Sequence, residues 1–358
     1  DAATGDEVDA AYFLSCNRNK ESVAIDIAAP EGQRLVRALA AQCDVVIENF
    51  KVGALARYGL DYATLSAQQP DLVYCSITGF GQTGPYAERA GYDYLIQGMG
   101  GLMSVTGEPD GAPGGGPQRA GVALADILSG MYAALAIVAT LRHRDQGGGG
   151  QHIDIAMLDV QAAALANQAM NYLTTGVAPQ RMGNGHPNIV PYQSFRASDG
   201  HLILAVGNDA QFRKMAQAMG RPEIGEDPRF STIALRVANR AVLVPMLEEI
   251  IAQRPIAEWV ARMEPAGVPC GPVNTIDRVF ADPQVQSRGM RLDLPHARAG
   301  QVPSVASPMR LSATPVRYRK GPPVLGEHTN QVLKRVLGAD DEALRALSEQ
   351  HVIKDAKP

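Results

Sequence analysis

The stretch SVAIDIAAPEGQRLVRALAAQCDVVIENF, residues 22–50, decides the fold class of this chain. SVAID predicts a strand, and CDVVIENF predicts a second one. Between them, PEGQRLVRALAAQ has helical spacing and begins with proline, which suits the first position of a helix. The order continues downstream, where LARYGLDYATLSAQQ predicts a helix and DLVYCSITGFG a third strand that runs into a glycine-rich turn. Strands that alternate with helices of this length form parallel sheets. We therefore expect an α/β fold with a Rossmann-like, doubly wound large domain.

A second stretch, GVALADILSGMYAALAIVATLR (residues 121–142), predicts a long apolar helix with one charge, Asp126, near its start. Its length suits a membrane span, but it is rich in Ala and Gly, it carries Asp126 and Ser129, and no second such run supports it. We expect a helix buried in the core of a globular protein. After it, HIDIAML predicts a strand, and VQAAALANQAMNYLTTG predicts an alanine-rich helix that ends at Gly176.

The length of 358 residues favours about two domains. Composition changes near Pro179, where PQRMGNGHPNIVPY has no period, and the alternating run HLILAVG follows. We expect a large α/β domain over residues 1–190 and a smaller α+β domain over residues 191–308. Residues 309–358 are expected to return to the large domain.

Charge and cysteine content exclude several classes of partner. The formal net charge is -4 and no Lys/Arg block is present, so we expect no nucleic-acid partner, and no membrane partner either. The four cysteines, Cys16, Cys43, Cys75 and Cys270, have neither metal-ligand nor disulfide-framework spacing. We expect four lone buried thiols, no metal, and a reducing compartment such as the cytoplasm.

Gly79, Gly81 and Gly84 spell G-x-G-x-x-G directly after a predicted strand. In that position the pattern favours a dinucleotide site, and hence a nicotinamide-dependent oxidoreductase. Three observations argue against a dinucleotide site. The next residues, PYAERAGYD, have Pro, Gly and charges where an amphipathic helix should begin, and the strand is at least the third of its unit and not the first. No acidic residue stands at the end of a following strand about twenty positions on. A tight turn or a loop that faces another ligand is the better interpretation.

Several longer phrases, spread in order over nearly the whole chain, carry a family resemblance. They include CNRNKESVAIDI, VVIENFKVGALARYGL, RAGYDYLIQGMGGLMSVTG, GVALADILSGMYAA, GNGHPNIVPYQSF, GVPCGPVN and LGEHT. The chain resembles the class III (CaiB/BaiF-type) CoA-transferases, and most closely their succinyl-CoA-dependent branch that acts on dicarboxylic acids. The resemblance implies an interlocked homodimer, no permanently bound cofactor, and coenzyme A, acyl-CoA and a carboxylic acid as substrates. It implies cytoplasmic location, or a mitochondrial one in a eukaryote. It also implies a further strand and helix ahead of the NRNK phrase, which we expect this chain to lack.

The resemblance makes Asp126 the nucleophile. A carboxylate that attacks a thioester gives a mixed anhydride and then an aspartyl-CoA thioester, so two acyl exchanges replace one difficult transfer. An N-cap role is the alternative, and it is compatible with the first because a helix N-terminus favours negative charge. Asp154 and Asp159 are the rival carboxylates, expected to be a strand residue and a helix-start residue with structural roles.

The other implied residues contact the two substrates. Related 2-methylacyl-CoA racemases have His where this chain has Tyr92, and a phenol with a pKa of about 10 is a poor base, so transfer is favoured over racemisation and Tyr92 is expected as a contact. Arg181 or His186 is a candidate for the far carboxylate of a diacid. The implied CoA-binding residues are Asn17, Arg18, Lys20, Asn49, Phe50 and Arg57. The implied mobile active-site loop consists of Gly183, Asn184, Gly185 and His186.

Overall fold

A computed structural model describes residues 9–356. Within them the α-helices, α1 to α17 in chain order, are Ala11–Cys16, Pro30–Ala40, Tyr62–Gln68, Asp93–Met99, Leu102–Val105, Leu124–Asp145, Met157–Ala164, Ala166–Thr175, Asp209–Ala218, Pro222–Glu226, Ile233–Ala238, Arg240–Ile251, Ile256–Met263, Ile276–Ala281, Pro283–Ser287, Thr329–Leu337 and Asp341–Glu349. The strands, β1 to β10, are Ala24–Ile25, Val45–Glu48, Val73–Thr78, His152–Ala156, Tyr192–Ala197, Gly200–Ala205, Cys270–Pro272, Arg291–His296, Gly300–Val305 and Ile353–Lys354. Two 3₁₀ turns are Ala56–Tyr58 and Pro228–Phe230.

The chain divides into two compact units. The first unit contains the described residues up to Ile96, residues Ala125–Val160, and the described residues from Arg278 onward. The second contains Gln97–Leu124 and Gln161–Asp277. The domain boundaries expected from the sequence, 1–190, 191–308 and 309–358, stay a prediction.

The first unit is built on a parallel sheet in the order β2-β3-β4, which confirms the α/β class. Val45 pairs with Val73, and Tyr74 with His152. One face of the sheet is buried against α6, where Ala133 and Ile137 pack on Val73, Cys75 and Ile153. In open parallel sheets ligands bind outside the carboxyl ends of the strands.

The expectation that SVAID joins the parallel sheet is wrong. Only Ala24–Ile25 forms a strand, and it pairs antiparallel with β10 at the other end of the chain. The backbone N–H of Ala24 also donates to the Thr329 hydroxyl at 3.0 Å. Apolar alternation predicts a strand, but it carries no information about a partner so distant in sequence. A small core joins α2 to the two C-terminal helices around Leu35, Leu333 and Leu347.

Helix α6 confirms the predicted long helix but not its burial. Ile127, Met131, Leu135 and Val138 are 50%, 63%, 68% and 63% exposed, so a whole apolar stripe of α6 is uncovered in the single chain. By length and composition alone α6 could cross a membrane, but one such helix is only weak evidence for a membrane span. The expectation of burial was wrong because composition does not separate a helix covered by its own chain from one with an open apolar face.

Two predicted helices are interrupted. LARYGLDYATLSAQQ forms a 3₁₀ turn, then a left-handed Gly59 (φ 63°), then α3. The alanine-rich run after β4 divides into α7 and α8 at Ala166, whose φ is 47°. It ends, as predicted, at a left-handed Gly176. The expectation of four buried thiols holds for Cys75, whereas Cys16 and Cys43 are exposed and Cys270 is half-buried.

The second unit contains an antiparallel sheet in the order β5-β6-β7. Its core surrounds Trp259, Phe195 and Phe212. A fully buried guanidinium, Arg236, lies in the same unit and is satisfied by the carbonyls of Val190 and Phe230 and by the carboxylate of Asp209.

Candidate active site

The site begins at the edge of the parallel sheet where β2, β3 and β4 end. Because the strands are parallel, the residues that follow Glu48, Thr78 and Ala156 share one edge. Asn49 follows β2 and donates from Nδ2 to the carbonyl of Ile77 at 2.8 Å, which ties it to β3. Next to it Phe50 is about half exposed, and its backbone N–H donates to the Glu48 carboxylate at 2.7 Å.

The glycine-rich turn after β3 has structural reasons for its glycines. A side chain at Gly79 would meet the Cα of Gly91 at 2.5 Å, and Gly81 has φ 86° while its N–H donates to the Thr78 hydroxyl at 3.0 Å. The next helix, α4, starts only at Asp93. A tight turn therefore accounts for this pattern, and no helix N-terminus follows it at the distance a dinucleotide fingerprint requires.

An apolar cluster fixes the start of α6 at the same edge of the sheet. Ala125 is fully buried and packs with Phe80 of the turn after β3, Met157 at the start of α7, and Ile96 of α4. The neighbouring residue, Asp126, is the third of α6 and points out of this cluster, open to solvent on one side. Packing of Ala125 therefore places the Asp126 carboxylate near the carboxyl ends of the strands.

Asp126 is not the N-cap that local sequence suggested. The helix already begins at Leu124, and the free amides of its first turn are bound by Asp93 instead. Asp93 Oδ1 accepts from the N–H of Ala125 at 2.8 Å and from that of Asp126 at 3.4 Å. Local sequence gave no sign of this cap, because Asp93 lies 32 residues upstream of Ala125.

Two effects raise the pKa of Asp126. Burial on its protein side is the larger, since it disfavours the charged carboxylate, and the negative charge of Asp93 adds to it. The carboxylate therefore holds its proton more tightly than an ordinary aspartate.

The rival carboxylates take the structural positions expected. Asp154 lies in β4 and accepts the N–H of Gln82 at 2.9 Å, and Asp159 lies in the first turn of α7. Tyr92 directly precedes α4 and is 76% exposed. Its phenol is therefore open to a ligand.

The implied CoA-binding residues all lie in the first unit, in three places. Lys20 Nζ donates to Asn17 Oδ1 at 3.1 Å, and the Arg18 guanidinium lies 5.6 Å from the ring centre of Tyr318. Arg57 stacks at 4.6 Å on Tyr58. Phe50 lines an apolar cavity of about 320 Å³ together with residues that include Ile47 and Leu55.

The implied active-site loop lies in the second unit and is held from two sides. Gly183 donates its N–H to the carbonyl of Gly107 at 3.0 Å, and a Cβ there would meet the Glu108 carboxylate at 2.6 Å. On the other side, Arg240 Nη2 donates to the carbonyls of His186 at 2.5 Å and Pro187 at 3.2 Å. Asn184 lies between these two attachments, and the His186 ring packs edge-on against Tyr192.

Sequence reasoning missed Arg240 and Gln97. Gln97 is fully buried; its Oε1 accepts from the N–H of Ala120 at 2.9 Å and its Nε2 donates to the carbonyl of Val122 at 3.3 Å. These bonds order the segment that leads into α6. Gln97 lies within the family phrase RAGYDYLIQGMGGLMSVTG and Arg240 lies outside the quoted phrases, but in both cases only the contacts with distant backbone reveal what the side chain does. Among residues 9–356 no group of three or more His, Cys, Asp or Glu side chains could hold a metal ion.

Comparison with known proteins identifies the family of this chain. The profile of CoA-transferase family III matches residues 2–329. A succinate–glutarate CoA-transferase of Agrobacterium fabrum is 50% identical over 333 residues, which cover 93% of this chain and 82% of that protein. A succinyl-CoA:glutarate CoA-transferase of Mus musculus is 41% identical over 348 residues, with coverage of 96% and 79%. The crystal structure of a CaiB/BaiF family protein from Brucella suis matches with a TM-score of 0.80 and 50% identity, with coverage of 93% and 86%. This chain belongs to CoA-transferase family III.

Proposed function

We propose that this protein moves CoA from succinyl-CoA to a second dicarboxylic acid, with glutarate the first acceptor to test. The names of the two relatives supply the donor and the acceptor. The observation that carries the proposal is the position of Asp126, a carboxylate of raised pKa in the first turn of α6 and open to solvent at the strand ends.

The reaction proceeds through four acyl exchanges. Ionised Asp126 attacks the thioester carbonyl of succinyl-CoA, which forms a mixed anhydride and releases the CoA thiolate. The thiolate attacks the Asp126 acyl carbon, which releases succinate and leaves an aspartyl-CoA thioester. The acceptor carboxylate attacks this thioester, which expels the thiolate and forms a second mixed anhydride, now between Asp126 and the acceptor. The thiolate then attacks the acceptor's acyl carbon in this anhydride. The acceptor leaves as its CoA thioester and Asp126 is restored as a carboxylate.

The residues that the family resemblance implies supply the groups that such a reaction needs. Asn17, Arg18, Lys20, Asn49, Phe50 and Arg57 bind CoA in this proposal, with guanidinium and ammonium groups for phosphates and the cavity beside Phe50 for an adenine face. Tyr92 contacts the thioester, and the loop of Gly183, Asn184, Gly185 and His186 excludes water from the intermediates. Arg181 already binds Asp110 and the carbonyl of Glu108, which favours His186 as the partner of a far carboxylate.

We also propose that the protein acts as an interlocked homodimer in the cytoplasm, or in mitochondria if its source is a eukaryote, with no permanently bound cofactor. The uncovered stripe of Ile127, Met131, Leu135 and Val138 supports a second copy, since their spacing places them on one face of α6 and such patches mark protein contacts. Light scattering coupled to gel filtration tests it, and a monomer at micromolar concentration would contradict it. None of the four cysteines forms a disulfide, which supports a reducing compartment.

Trapping of the enzyme-bound intermediate tests the mechanism. The protein is incubated with succinyl-CoA, treated with hydroxylamine or borohydride, and digested for mass spectrometry. We expect a hydroxamate or a reduced side chain on the peptide that contains Asp126, and none in the Asp126→Asn variant. Turnover with no carboxylate modified would overturn the covalent mechanism.

Two further assays address the other activities considered from the sequence. With a 2-methylacyl-CoA in deuterated water and no acceptor acid, we expect no deuterium at the α-carbon, because the chain has Tyr92 where a racemase has a histidine base. Deuterium uptake would replace transfer by racemisation. In thermal-shift titrations we expect protection by CoA and none by NAD(H).

A further inference from the structure

A cationic pocket lies in the first unit, next to Arg18 and Lys20, two of the residues that the family resemblance implies. Its cavity of about 600 Å³ is lined by residues that include Asn19, Glu21, Arg317, Arg319 and Lys320. Three cations therefore face one carboxylate, although the whole chain has a net charge of -4. A local excess of positive charge on an acidic protein favours an anionic ligand.

Asn19 builds this pocket by joining two distant stretches of chain. Its backbone is left-handed, with φ 59°. Its N–H donates to the Lys320 carbonyl at 3.0 Å and its Nδ2 to the Arg317 carbonyl at 2.7 Å. Its Oδ1 accepts from the N–H groups of Arg319 at 2.7 Å and Lys320 at 3.1 Å. Residues 317–320 are thus held beside Arg18 and Lys20, the chain neighbours of Asn19.

The single acid of the pocket is already neutralised. Glu21 binds Lys320 at 2.7 Å and also pairs with Arg335, and the hydrogen bond from Lys320 is the main reason that the pKa of Glu21 is lowered. Arg317 and Arg319 are exposed and form no ion pair with any carboxylate of residues 9–356. Two guanidinium groups are therefore free to bind the same ligand.

We propose that Arg317 and Arg319 bind the phosphates of the nucleotide end of CoA. Guanidinium groups bind phosphate through paired, charge-assisted hydrogen bonds, and they suit a ligand with several negative charges. The inference rests on the proposed function, which supplies CoA as the ligand and places Arg18 and Lys20 in its site. It adds a C-terminal stretch, bound through Asn19, to a site otherwise assigned to the N-terminal half of the chain.

The test compares wild type with the double variant Arg317→Ala/Arg319→Ala. Three thioesters serve as donors: succinyl-CoA, succinyl-dephospho-CoA and succinyl-pantetheine, with glutarate as acceptor. For succinyl-CoA we expect KM to rise about tenfold in the variant with kcat unchanged, because hydrogen bonds to charged groups contribute on this scale and the reacting carbonyl is not touched. For succinyl-pantetheine, which has no phosphate, we expect no change in KM.

Comparison of succinyl-CoA with succinyl-dephospho-CoA shows which phosphate of CoA the two arginines bind. A rise in KM for succinyl-CoA alone places the arginines at the 3′-phosphate, and an equal rise for both nucleotide thioesters places them at the diphosphate. The matched control, Arg196→Ala/Arg213→Ala, removes two exposed arginines of the second unit and should behave as wild type. An unchanged KM for succinyl-CoA, or an equal rise for succinyl-pantetheine, overturns the proposal.

Direct titration of CoA by calorimetry separates this inference from the proposed function. One outcome is that wild type transfers no CoA to any diacid yet binds CoA, and that the double variant binds it about tenfold more weakly. The proposed function is then wrong, but the assignment of the pocket to CoA is supported. If wild type transfers CoA and both proteins bind it equally, the pocket fails and the function stands. Titration with inorganic phosphate distinguishes a CoA site from a general anion site. If the double variant loses phosphate binding but keeps its affinity for CoA, the pocket is a general anion site, and that result also overturns the proposal.

Discussion

Asp93 Oδ1 lies 3.4 Å from the backbone nitrogen of Asp126, so one carboxylate accepts a hydrogen bond from the residue that carries the other. The contact has two opposed effects. A negative charge at the first turn stabilises α6 by binding its free amides. The same charge raises the pKa of Asp126, in addition to the larger effect of burial. Asp93 thus contributes both to the stability of the start of α6 and to the basicity of Asp126.

Replacement of Asp126, the proposed nucleophile, should abolish transfer. We expect Asp126→Asn to lower kcat for transfer from succinyl-CoA to glutarate by about 10⁴-fold or more, since an amide cannot form the anhydride. The control is Asp145→Asn at the other end of α6, which should transfer at the wild-type rate. Transfer by Asp126→Asn within tenfold of wild type would assign the nucleophile to another carboxylate.

Replacement of Asp93 should move the pH profile. In the proposed mechanism transfer needs ionised Asp126, so the acidic limb of its pH profile follows the raised pKa of that group. Asp93→Asn keeps the oxygen that accepts from Ala125 but removes the charge, which lowers the pKa of Asp126. We therefore expect the midpoint of the acidic limb of kcat/KM to shift to lower pH. Asp159→Asn, a change of the same kind on α7, should leave the midpoint in place, and an unmoved midpoint in Asp93→Asn would contradict the coupling.

The same raised pKa predicts a stability change. A carboxyl whose pKa is higher in the folded state contributes stability that is fully present below its ordinary pKa of 3.8 and is lost as the pH rises through its folded pKa. At pH 7 wild type therefore lacks that contribution, and Asp126→Asn should be more stable. Because the carboxylate is open to solvent on one side, we expect a gain of only about 0.5 kcal/mol. Urea unfolding from pH 7 downward should show the gain shrinking on the acid side, and a constant gain would contradict this account.

The sequence predicted the parts of this site that depend on local pattern. Alternation of strands and helices predicted the parallel pairing of β2 and β3, and glycine after an alanine-rich helix predicted its end at Gly176. It did not predict the cap on α6 from Asp93, the pairing of β1 with β10, or the bonds from Asn19 to residues 317–320. Each of these depends on residues far apart in sequence that meet only after folding. The open face of α6 was missed for another reason, since an apolar stripe that its own chain leaves uncovered has the same composition as a buried one.

Arg240, which binds one side of the loop of residues 183–186, provides a fourth prediction. Burial lowers the pKa of Arg240, and its guanidinium binds the carbonyls of His186 and Pro187. We expect Arg240→Ala to release this side of the loop, which hydrogen exchange should report as faster exchange in residues 183–190, with a fall in kcat of about tenfold. A Cβ at Gly185 would lie 2.9 Å from Arg240 Nη1, so Gly185→Ala should also loosen the loop. The double variant should lose less than the sum of the two, and strict additivity would contradict a shared contact.

Arg236 provides the last prediction, which concerns stability of the second unit. Its guanidinium is fully buried, donates to Val190 at 2.8 Å and Phe230 at 2.9 Å, and pairs with Asp209 at 2.9 Å. Arg236→Met keeps much of the volume but leaves both carbonyls without these donors. Loss of one member of a buried pair costs about 3–5 kcal/mol, and we expect the lower end because Asp209 is partly exposed and regains water. Thermal unfolding should show a midpoint lower by roughly 5–10 °C. Arg213→Ala removes an exposed arginine of the same unit and should shift the midpoint by less than about 2 °C. Equal midpoints for the two variants would mean that the buried guanidinium contributes no more than a surface one.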